Sequence, residues 1–368
     1  MGSDHRPALD GVRGLAILLV LGQHAMTRPL IDGYVGVTVF FCLSGYLITT
    51  LLLRELDGGT IDLRAFYRRR VARLVPGLAT VVLVTAVILL VLRHDLTAGL
   101  AHRRDLAVGQ VVAPAVAALT YTTSLFDWAG HPFATYDYLN YTWSLSVEEQ
   151  FYLLWPFAVL MGYPRHRRRF AALALALAAA ALVLDLYLGL SRSSRYDPHE
   201  YFGSDTNALP ILAGCLLALA VANRWLTRTL STFSGWAPVA VVLLFLVAGH
   251  DDTARPSLVI VAGTLLTLLL LTGVEVRPRS LLGAVLSCVE MRWLGERSYS
   301  IYLWNVLARI AILSRLGHTV AGDVVWIAMV VVLAELSYRL VERPLRARLS
   351  PRPAAPRPDQ PVVDPLPG

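Results

Sequence analysis

The first apolar stretch of the chain, LDGVRGLAILLVLGQHA (residues 9–25), carries two ionisable side chains, Arg13 and His24. Eleven steps of about 100° return a helix to nearly the same direction, so the two side chains share one face, roughly 16 Å apart along the axis. Ionisable groups inside a membrane-spanning helix are costly and usually face a cavity or a partner. Because the pKa of histidine lies near neutral pH, His24 is a candidate general base.

The pair also has a structural interpretation, in which polar side chains hold helices together. Arg13 stands near the start of the helix and can extend its guanidinium to the membrane surface. His24 lies about three turns deeper and has no such route. The spacing therefore favours a functional role for the pair without proving one.

A second candidate site is the basic cluster FYRRRVARLVP, residues 66–76. Arg73 is four residues from Arg69 and three from Arg70, so the three side chains share a helix face. The guanidinium fork binds phosphate with two hydrogen bonds, which predicts a clamp for a phosphorylated donor. The alternative is a topology signal that touches lipid phosphates, and the spacing favours neither.

Two further segments combine polar and apolar residues at predicted helix positions. In FFCLSGYLI, residues 40–48, Ser44 and Gly45 indicate either a close helix contact or a backbone open to a substrate pocket; the spacing favours the contact. In WSLSVEEQFY, residues 143–152, Glu149 fits a capping box and leaves Glu148 on another face, able to orient a histidine or bind a cation. We take Ser44 and Trp143 as candidate substrate-binding residues and Glu148 as a candidate catalytic one.

The rest of the chain must position these residues within a membrane. Of its 368 residues, 56% are hydrophobic, and apolar runs recur from end to end. Ten of them approach the length of a bilayer crossing: residues 12–27, 34–53, 74–92, 145–162, 170–190, 207–222, 235–249, 257–273, 299–317 and 323–341. All 33 basic residues are arginines.

The arginine-rich loops fall on one side of the membrane only if the weaker run 105–121 does not cross. The positive-inside rule therefore predicts an all-α, polytopic bundle of about ten spans in the cell membrane, with both termini cytoplasmic. Run 105–121 would then be a re-entrant or interfacial helix. We place one membrane domain at residues 1–345 and a proline-rich, disordered cytoplasmic tail at 346–368.

Several functional classes are disfavoured by composition. The net charge of +7 comes with no basic stripe carrying interleaved aromatics, so a nucleic-acid partner is not expected. The three cysteines are widely spaced and match neither a disulfide framework nor a metal site, and we predict no bound metal. The first apolar run lacks a small-residue cleavage site and is expected to stay as an anchor.

Taken in order, these segments resemble the acyltransferase-3 family of integral membrane acyltransferases. The resemblance runs from Leu9 to Pro344 and includes SYSIYLW (298–304) and YRLVERP (338–344). It implies transfer of an acyl group, most often acetyl, from a coenzyme A thioester to a hydroxyl, with acyl-CoA as a substrate and no bound cofactor. His24 matches the catalytic histidine and Glu342 the late glutamate of the family. The family's donor-side arginines match Arg13, Arg69, Arg70 and Arg73.

This resemblance leaves several points open. Asn305 stands where many members have histidine, and Asp205-Thr206-Asn207 where many have Asp-Thr-Arg. The expected acceptor is a hydroxylated glycan or small molecule, such as a sugar-containing or polyketide compound. Glu342 or Glu148 is expected to orient the imidazole. Direct transfer and an acyl-histidine intermediate both fit the sequence.

A proton-coupled transporter or exporter is the alternative function, since apolar spans with buried Arg and His suit a carrier too. A non-catalytic scaffold is a third class, but it would not need a deep histidine. Against a transporter, the sequence shows no internal repeat and no pair of matching broken helices.

Overall fold

The computed structural model describes residues 6–25, 34–91, 108–129, 138–191, 198–225, 227–249, 256–317 and 319–349. Every regular element in these ranges is a helix, and no strand occurs within them. The predicted all-α class is thus confirmed for the described part of the chain.

The α-helices are numbered here in chain order. Their bounds are α1 Pro7–Gln23, α2 Tyr34–Asp57, α3 Leu63–Val91, α4 Val108–Leu119, α5 Thr123–Trp128, α6 Trp143–Gly162, α7 Arg167–Ser191, α8 Pro198–Phe202, α9 Ala208–Ala222, α10 Thr227–Phe233, α11 Ala237–Ala248, α12 Pro256–Val276, α13 Leu281–Leu286, α14 Val289–Leu316, α15 Val320–Ser337 and α16 Arg343–Leu349. Two 3-10 turns, Asn140–Thr142 and Ser234–Trp236, precede α6 and α11.

Six helical segments are long and apolar enough to cross a bilayer: Tyr34–Asp57, Leu63–Leu90, Arg167–Ser191, Thr227–Ala248, Pro256–Val276 and Val320–Leu349. Large apolar side chains point outward from them; Leu83, Val183 and Leu340 are each at least 65% exposed. Such exposure suits a lipid-facing surface. The chain is therefore a multi-pass membrane protein, and the count of ten spans stays a prediction.

The weak apolar run at 105–121 forms a short helix, α4, from residue 108 onward. Its 12 residues rise about 18 Å, which is less than the roughly 30 Å of a bilayer core. It packs against α3 and is followed at once by α5. Residues 105–107 lie outside the described ranges.

Pro344 does not end the last helix, although proline usually does so. A π-helical turn, Tyr338–Glu342, joins α15 to α16, and the Arg343 amide donates to the Tyr338 carbonyl. This wider turn accommodates the ring of Pro344 and its missing N–H, so the helix continues to Leu349. It extends four residues past the predicted domain boundary at 345; residues 350–368 are not described, and the disorder of that tail stays a prediction.

Glycines make the closest helix contacts. A Cβ atom on Gly45 would lie 2.0 Å from the Ile211 carbonyl oxygen, and one on Gly214 would lie 2.0 Å from that of Cys42. Helices α2 and α9 therefore pack backbone against backbone, as small residues allow in membranes. This contact fixes the face that α2 turns toward the candidate site.

Helices α1 and α14 meet in the same way, because a Cβ atom on Gly295 would lie 1.8 Å from the Asp10 carbonyl oxygen. Beyond this contact the two helices extend toward the same end of the bundle, because the charge of Arg309 on α14 acts on the His24 ring at the end of α1. Helix α2 runs antiparallel to α1: a Cβ atom on Gly36 would lie within 3 Å of atoms of Ala16 and Val20. The packing of these three helices determines how far along the bundle each candidate residue lies.

Candidate active site

Two connected cavities open at one end of the bundle, which we call the arginine-rich end. The wide cavity has a volume of about 750 Å³ and the narrow cavity about 250 Å³. Both are lined by the same five residues at their junction: Arg13, Leu47, Leu51, Arg73 and Tyr299. The narrow cavity therefore continues the wide one into the bundle.

The wide cavity carries an excess of positive charge. Its lining includes three acidic residues, Asp10, Glu296 and Glu342, and six arginines, namely Arg6, Arg13, Arg54, Arg73, Arg343 and Arg346. Among these arginines, Arg13 bonds to Asp10 at 2.8 Å and Arg6 pairs with Glu275. The excess of arginines over carboxylates gives this cavity a positive potential, which favours anionic ligands.

Arg73 is the member of this set whose position is most informative. It makes no hydrogen bond or ion pair with any residue in the described ranges, although it is half-buried. Its guanidinium instead interacts with the like charges of Arg13, Arg70 and Arg346. Arg13 pairs with Asp10 and Arg70 lies 3.9 Å from Glu149, whereas Arg73 forms no ion pair within the described ranges, so an anionic ligand beside Arg73 would lower the repulsion in this cluster.

The three clustered arginines of the sequence prediction separate in the structure. Arg73 lines both cavities, and Arg70 lines the narrow one, with its guanidinium 3.3 Å from the Tyr152 ring centroid and 3.9 Å from Glu149. Arg69 lines neither cavity and bonds to Glu55 at 2.5 Å on the exposed side of α3. The structure thus brings two of the three to the cavities.

A polar belt crosses the narrow cavity halfway along α2. Ser44 donates a hydrogen bond to Glu148, and the Tyr152 hydroxyl donates to the same carboxylate oxygen at 2.9 Å. All three side chains line the narrow cavity. Gly45 faces α9, so the two interpretations of the Ser-Gly pair each hold for one residue: Gly45 makes the helix contact and Ser44 faces the pocket.

Trp143 is buried beside the narrow cavity and is absent from its lining. Its ring stacks on Tyr34 at 5.9 Å and lies edge-on to Phe41 at 6.2 Å. Tyr201 and Phe202 of α8 complete this aromatic cluster, at 5.3 and 5.6 Å from the Trp143 ring. The cluster packs behind Phe41, which does line the cavity.

His24 caps the C-terminal end of α1, which we call the histidine end. Its Nδ1 lies 2.8 Å from the Val20 carbonyl oxygen. A carbonyl only accepts hydrogen bonds, so Nδ1 carries the proton and Nε2 of the neutral ring is left with its lone pair. This tautomer suits a base that acts through Nε2. His24 lines neither of the two cavities.

Arg309 of α14 lies close enough to His24 for its charge to act on the ring. The position follows from the helix register, because each residue stands fourteen positions beyond the contact between Asp10 and Gly295. The sequence analysis did not single out Arg309. The rule that identified Arg13 and His24, an ionisable group in an apolar run, would have found it.

The two glutamates predicted to orient the imidazole have other partners. Glu342 is buried and accepts hydrogen bonds from Ser300 at 2.6 Å and Ser337 at 3.0 Å. Glu148 belongs to the polar belt. The structure brings neither carboxyl to His24, whose ring is oriented by a backbone carbonyl of its own helix.

The site and the fold together define a helical membrane protein with an arginine-lined cavity that leads into the bundle. A sequence model described as an acyltransferase domain matches residues 6–336. The chain therefore belongs to this family of acyltransferases, the acyltransferase-3 family.

Curated relatives cover most of this chain. A Bacillus subtilis (strain 168) protein with the provisional name peptidoglycan O-acetyltransferase YrhL is 32% identical over 93% of this chain and 55% of its own length. Peptidoglycan O-acetyltransferase OatA of Listeria monocytogenes is 28% identical over 92% of this chain and 56% of its own length. O-acetyltransferase OatA of Staphylococcus aureus (strain NCTC 8325 / PS 47) is 29% identical over 93% of this chain and 57% of its own length. The chain thus spans little more than half the length of these relatives. A comparison with solved structures gives no significant match.

Proposed function

We propose that this protein transfers an acetyl group from acetyl-CoA to a hydroxyl of a cell-envelope glycan. The observation that carries the proposal is the cluster of Arg73, Arg13, Arg70 and Arg346 around a cavity that narrows into the bundle. Coenzyme A combines phosphates with a slender arm, so a wide cationic mouth and a narrow extension match its two parts.

The donor binds with its phosphates in the wide cavity. Arg73 has no carboxylate partner in the described ranges and is free to form charge-assisted bonds to a phosphate. Arg13 and Arg346 face it from other helices. The pantetheine arm then extends past the polar belt, where the hydroxyls of Ser44 and Tyr152 lie beside the Glu148 carboxylate.

The acceptor reacts at the histidine end. Nε2 of His24 takes the proton of the acceptor hydroxyl as its oxygen attacks the thioester carbonyl; the C–S bond then breaks, and coenzyme A leaves as the thiol with the proton that His24 returns. Arg309 stands beside the ring and stabilises the negative charge that develops in that attack. The narrow cavity ends at Val37, which is level with the stretch from Ala16 to Val20, so His24 lies one to two turns beyond it.

The names of the relatives favour a glycan acceptor over the polyketide that the sequence alone left open. The arginine-rich end would face the cytoplasm, where acyl-CoA is found and where the positive-inside rule places the arginine loops. Both termini would then be cytoplasmic, as the loop charges predict.

The proposal is tested by incubating the purified protein with radiolabelled acetyl-CoA and peptidoglycan fragments, with a hydroxylated macrolide as a second acceptor. Label in the glycan is the expected result. Label in the macrolide instead would overturn the acceptor assignment. A proton-coupled carrier would take labelled compounds into proteoliposomes without covalent transfer, and that outcome would overturn the enzyme assignment.

A further inference from the structure

The arginines of the wide cavity lie at two distances from its junction with the narrow cavity. Coenzyme A likewise carries phosphate in two places: a diphosphate attached to the pantetheine arm, and a 3′-phosphate on the ribose beyond it. With the arm in the narrow cavity, the diphosphate lies at the junction, where Arg13 and Arg73 line both cavities. The 3′-phosphate then lies farther out, among arginines that line the wide cavity alone.

Two of these outer arginines stand together on the last helix, α16. Arg343 and Arg346 line the wide cavity and not the narrow one, and both are exposed. They are three positions apart and therefore share one helix face. Neither forms an ion pair within the described ranges, whereas Arg6, which also lines the wide cavity alone, pairs with Glu275. The two α16 arginines can thus bind an anion without giving up a carboxylate.

The carboxylates that line the wide cavity have other partners. Asp10 bonds to Arg13, and Glu296 lies 3.4 Å from Arg297. Glu342, the residue directly before α16, accepts hydrogen bonds from two serines. The positive charge of the two α16 arginines is therefore available to a ligand in this cavity.

The π-helical turn Tyr338–Glu342 carries these arginines to the cavity. Through it the last helix becomes one segment, Val320–Leu349, whose 30 residues rise about 45 Å. This length exceeds the roughly 30 Å of a bilayer core, so one end of the segment extends beyond it. At the arginine-rich end α16 packs against α3, and the charge of Arg346 acts on the Arg73 guanidinium of that helix.

We propose that Arg343 and Arg346 bind the 3′-phosphate of the donor and select coenzyme A over donors that lack this group. Two guanidinium groups suit a phosphate monoester, which accepts several charge-assisted hydrogen bonds. The inference rests on the proposed function, because it assumes that an acyl-CoA occupies the two cavities. It adds residues that choose the donor: the matched family model ends at residue 336, before both arginines.

The test compares the binding of coenzyme A and 3′-dephospho-coenzyme A to the purified full chain by calorimetry. The wild type should bind coenzyme A about 10-fold more tightly, because charge-assisted bonds to the 3′-phosphate are lost with the other ligand. In the double variant Arg343→Ala/Arg346→Ala this ratio should fall to about 1. Arg73→Ala should weaken the binding of both ligands and keep the wild-type ratio, because both ligands contain the diphosphate.

Arg348→Ala is the matched control. Arg348 has the same charge and lies on the same helix, but it lines neither cavity. Its variant should keep the wild-type ratio. An equal fall of the ratio in Arg348→Ala would show that only the overall charge of α16 matters, and would overturn the assignment. Arg346→Gln, a single exposed substitution, replaces the double variant should that fail to fold, and should also lower the ratio.

Equal affinity of the wild type for the two ligands would overturn the 3′-phosphate assignment, as would an unchanged ratio in both Arg346→Gln and the double variant. Transfer of acetyl from acetyl-CoA to the glycan would still be observed in either case, so the proposed function would stand. Absence of both coenzyme A binding and acetyl transfer in the wild type would instead remove the proposed function on which the inference rests.

Discussion

The two ends of the bundle differ in charge and in how closely their side chains are packed. At the arginine-rich end, like charges from several helices surround an open volume, and Arg73 forms no ion pair with a carboxylate among the described residues. At the histidine end, the His24 imidazole is fixed by its own helix through the Val20 carbonyl, and the aromatic rings around Trp143 are packed closely. The first end is built to receive a charged ligand, and the second to hold a reactive nitrogen in one tautomer.

This difference shows that two residues on the same helix face need not line the same cavity. Arg13 and His24 lie on one face of α1, yet Arg13 lines both cavities and His24 lines neither. The separation between Arg13 and His24 is about three turns of helix, so variants at the two ends should affect different kinetic constants.

His24→Ala gives the largest expected effect. Loss of a general base typically costs about 100-fold to 10,000-fold in kcat, and the KM for acetyl-CoA should change little because the arginine cluster is distant. Transfer of label to the glycan and binding of acetyl-CoA by calorimetry measure the two constants. Wild-type turnover in this variant would show that the reaction is centred elsewhere, with the polar belt of Ser44, Tyr152 and Glu148 as the next site to examine.

Gly45→Ala tests whether the cavity wall depends on the contact between α2 and α9. The new Cβ would meet the Ile211 carbonyl oxygen at 2.0 Å, so the helices must move apart, at a cost of about 1–3 kcal/mol. The melting temperature in detergent and kcat/KM should both fall. Gly109→Ala is the control, since nothing lies within 4 Å of that position. Equal melting temperatures for the two variants would contradict the close contact.

Arg73→Ala and Arg69→Ala separate the two interpretations of the basic cluster. Removing a charge-assisted bond to phosphate should raise the KM for acetyl-CoA about 10-fold for Arg73→Ala, which corresponds to about 1.4 kcal/mol. Arg69 is paired with Glu55 outside the cavities, so its variant should stay within about 2-fold of wild type. An equal rise for both variants would favour a general role of the cluster in topology.

Much of this arrangement was predictable from the sequence, and the exceptions have physical causes. The spacing of Arg70 and Arg73 predicted that they share one helix face. The structure agrees, because the relative direction of two side chains on one helix depends only on local geometry. The partners of Glu342 were not predictable, because Ser300 lies on another helix 42 residues earlier and Ser337 is brought near by a π-helical turn. Spacing alone likewise could not show that Arg69 meets Glu55 or that His24 faces Arg309.

The span count illustrates the same limit. The length of the apolar runs identified long helices such as α7 and α12. The number of helices that cross the bilayer also depends on how the shorter or more polar helices pack. Helices α1, α6 and α14 are absent from the six long apolar segments and carry ionisable residues such as Arg13, Glu148 and Arg309. Ionisable residues lower the mean hydropathy of a helix, so composition underestimates helices of this kind.

Asp127→Asn gives the smallest expected effect and probes the packing at the histidine end. Asp127 lies on α5, a short helix outside the membrane-spanning segments that packs against α8 of the aromatic cluster. The side chain is buried, and neither carboxylate oxygen has a hydrogen-bond partner within the described ranges. Burial raises the pKa of this carboxyl from 3.8 to about 7.

The direction of the pH effect follows from that shift. The folded state holds the proton more tightly than the unfolded state, so the carboxyl favours folding below about pH 4 and loses that contribution as the pH rises toward 7. The neutral amide of Asp127→Asn has no such dependence. Its melting temperature in detergent should therefore exceed that of wild type by a few degrees at pH 8 and approach it at pH 5. A difference that does not vary with pH would show that Asp127 keeps its charge in the folded protein, and the end that holds His24 would then be less tightly closed to water than its packing indicates.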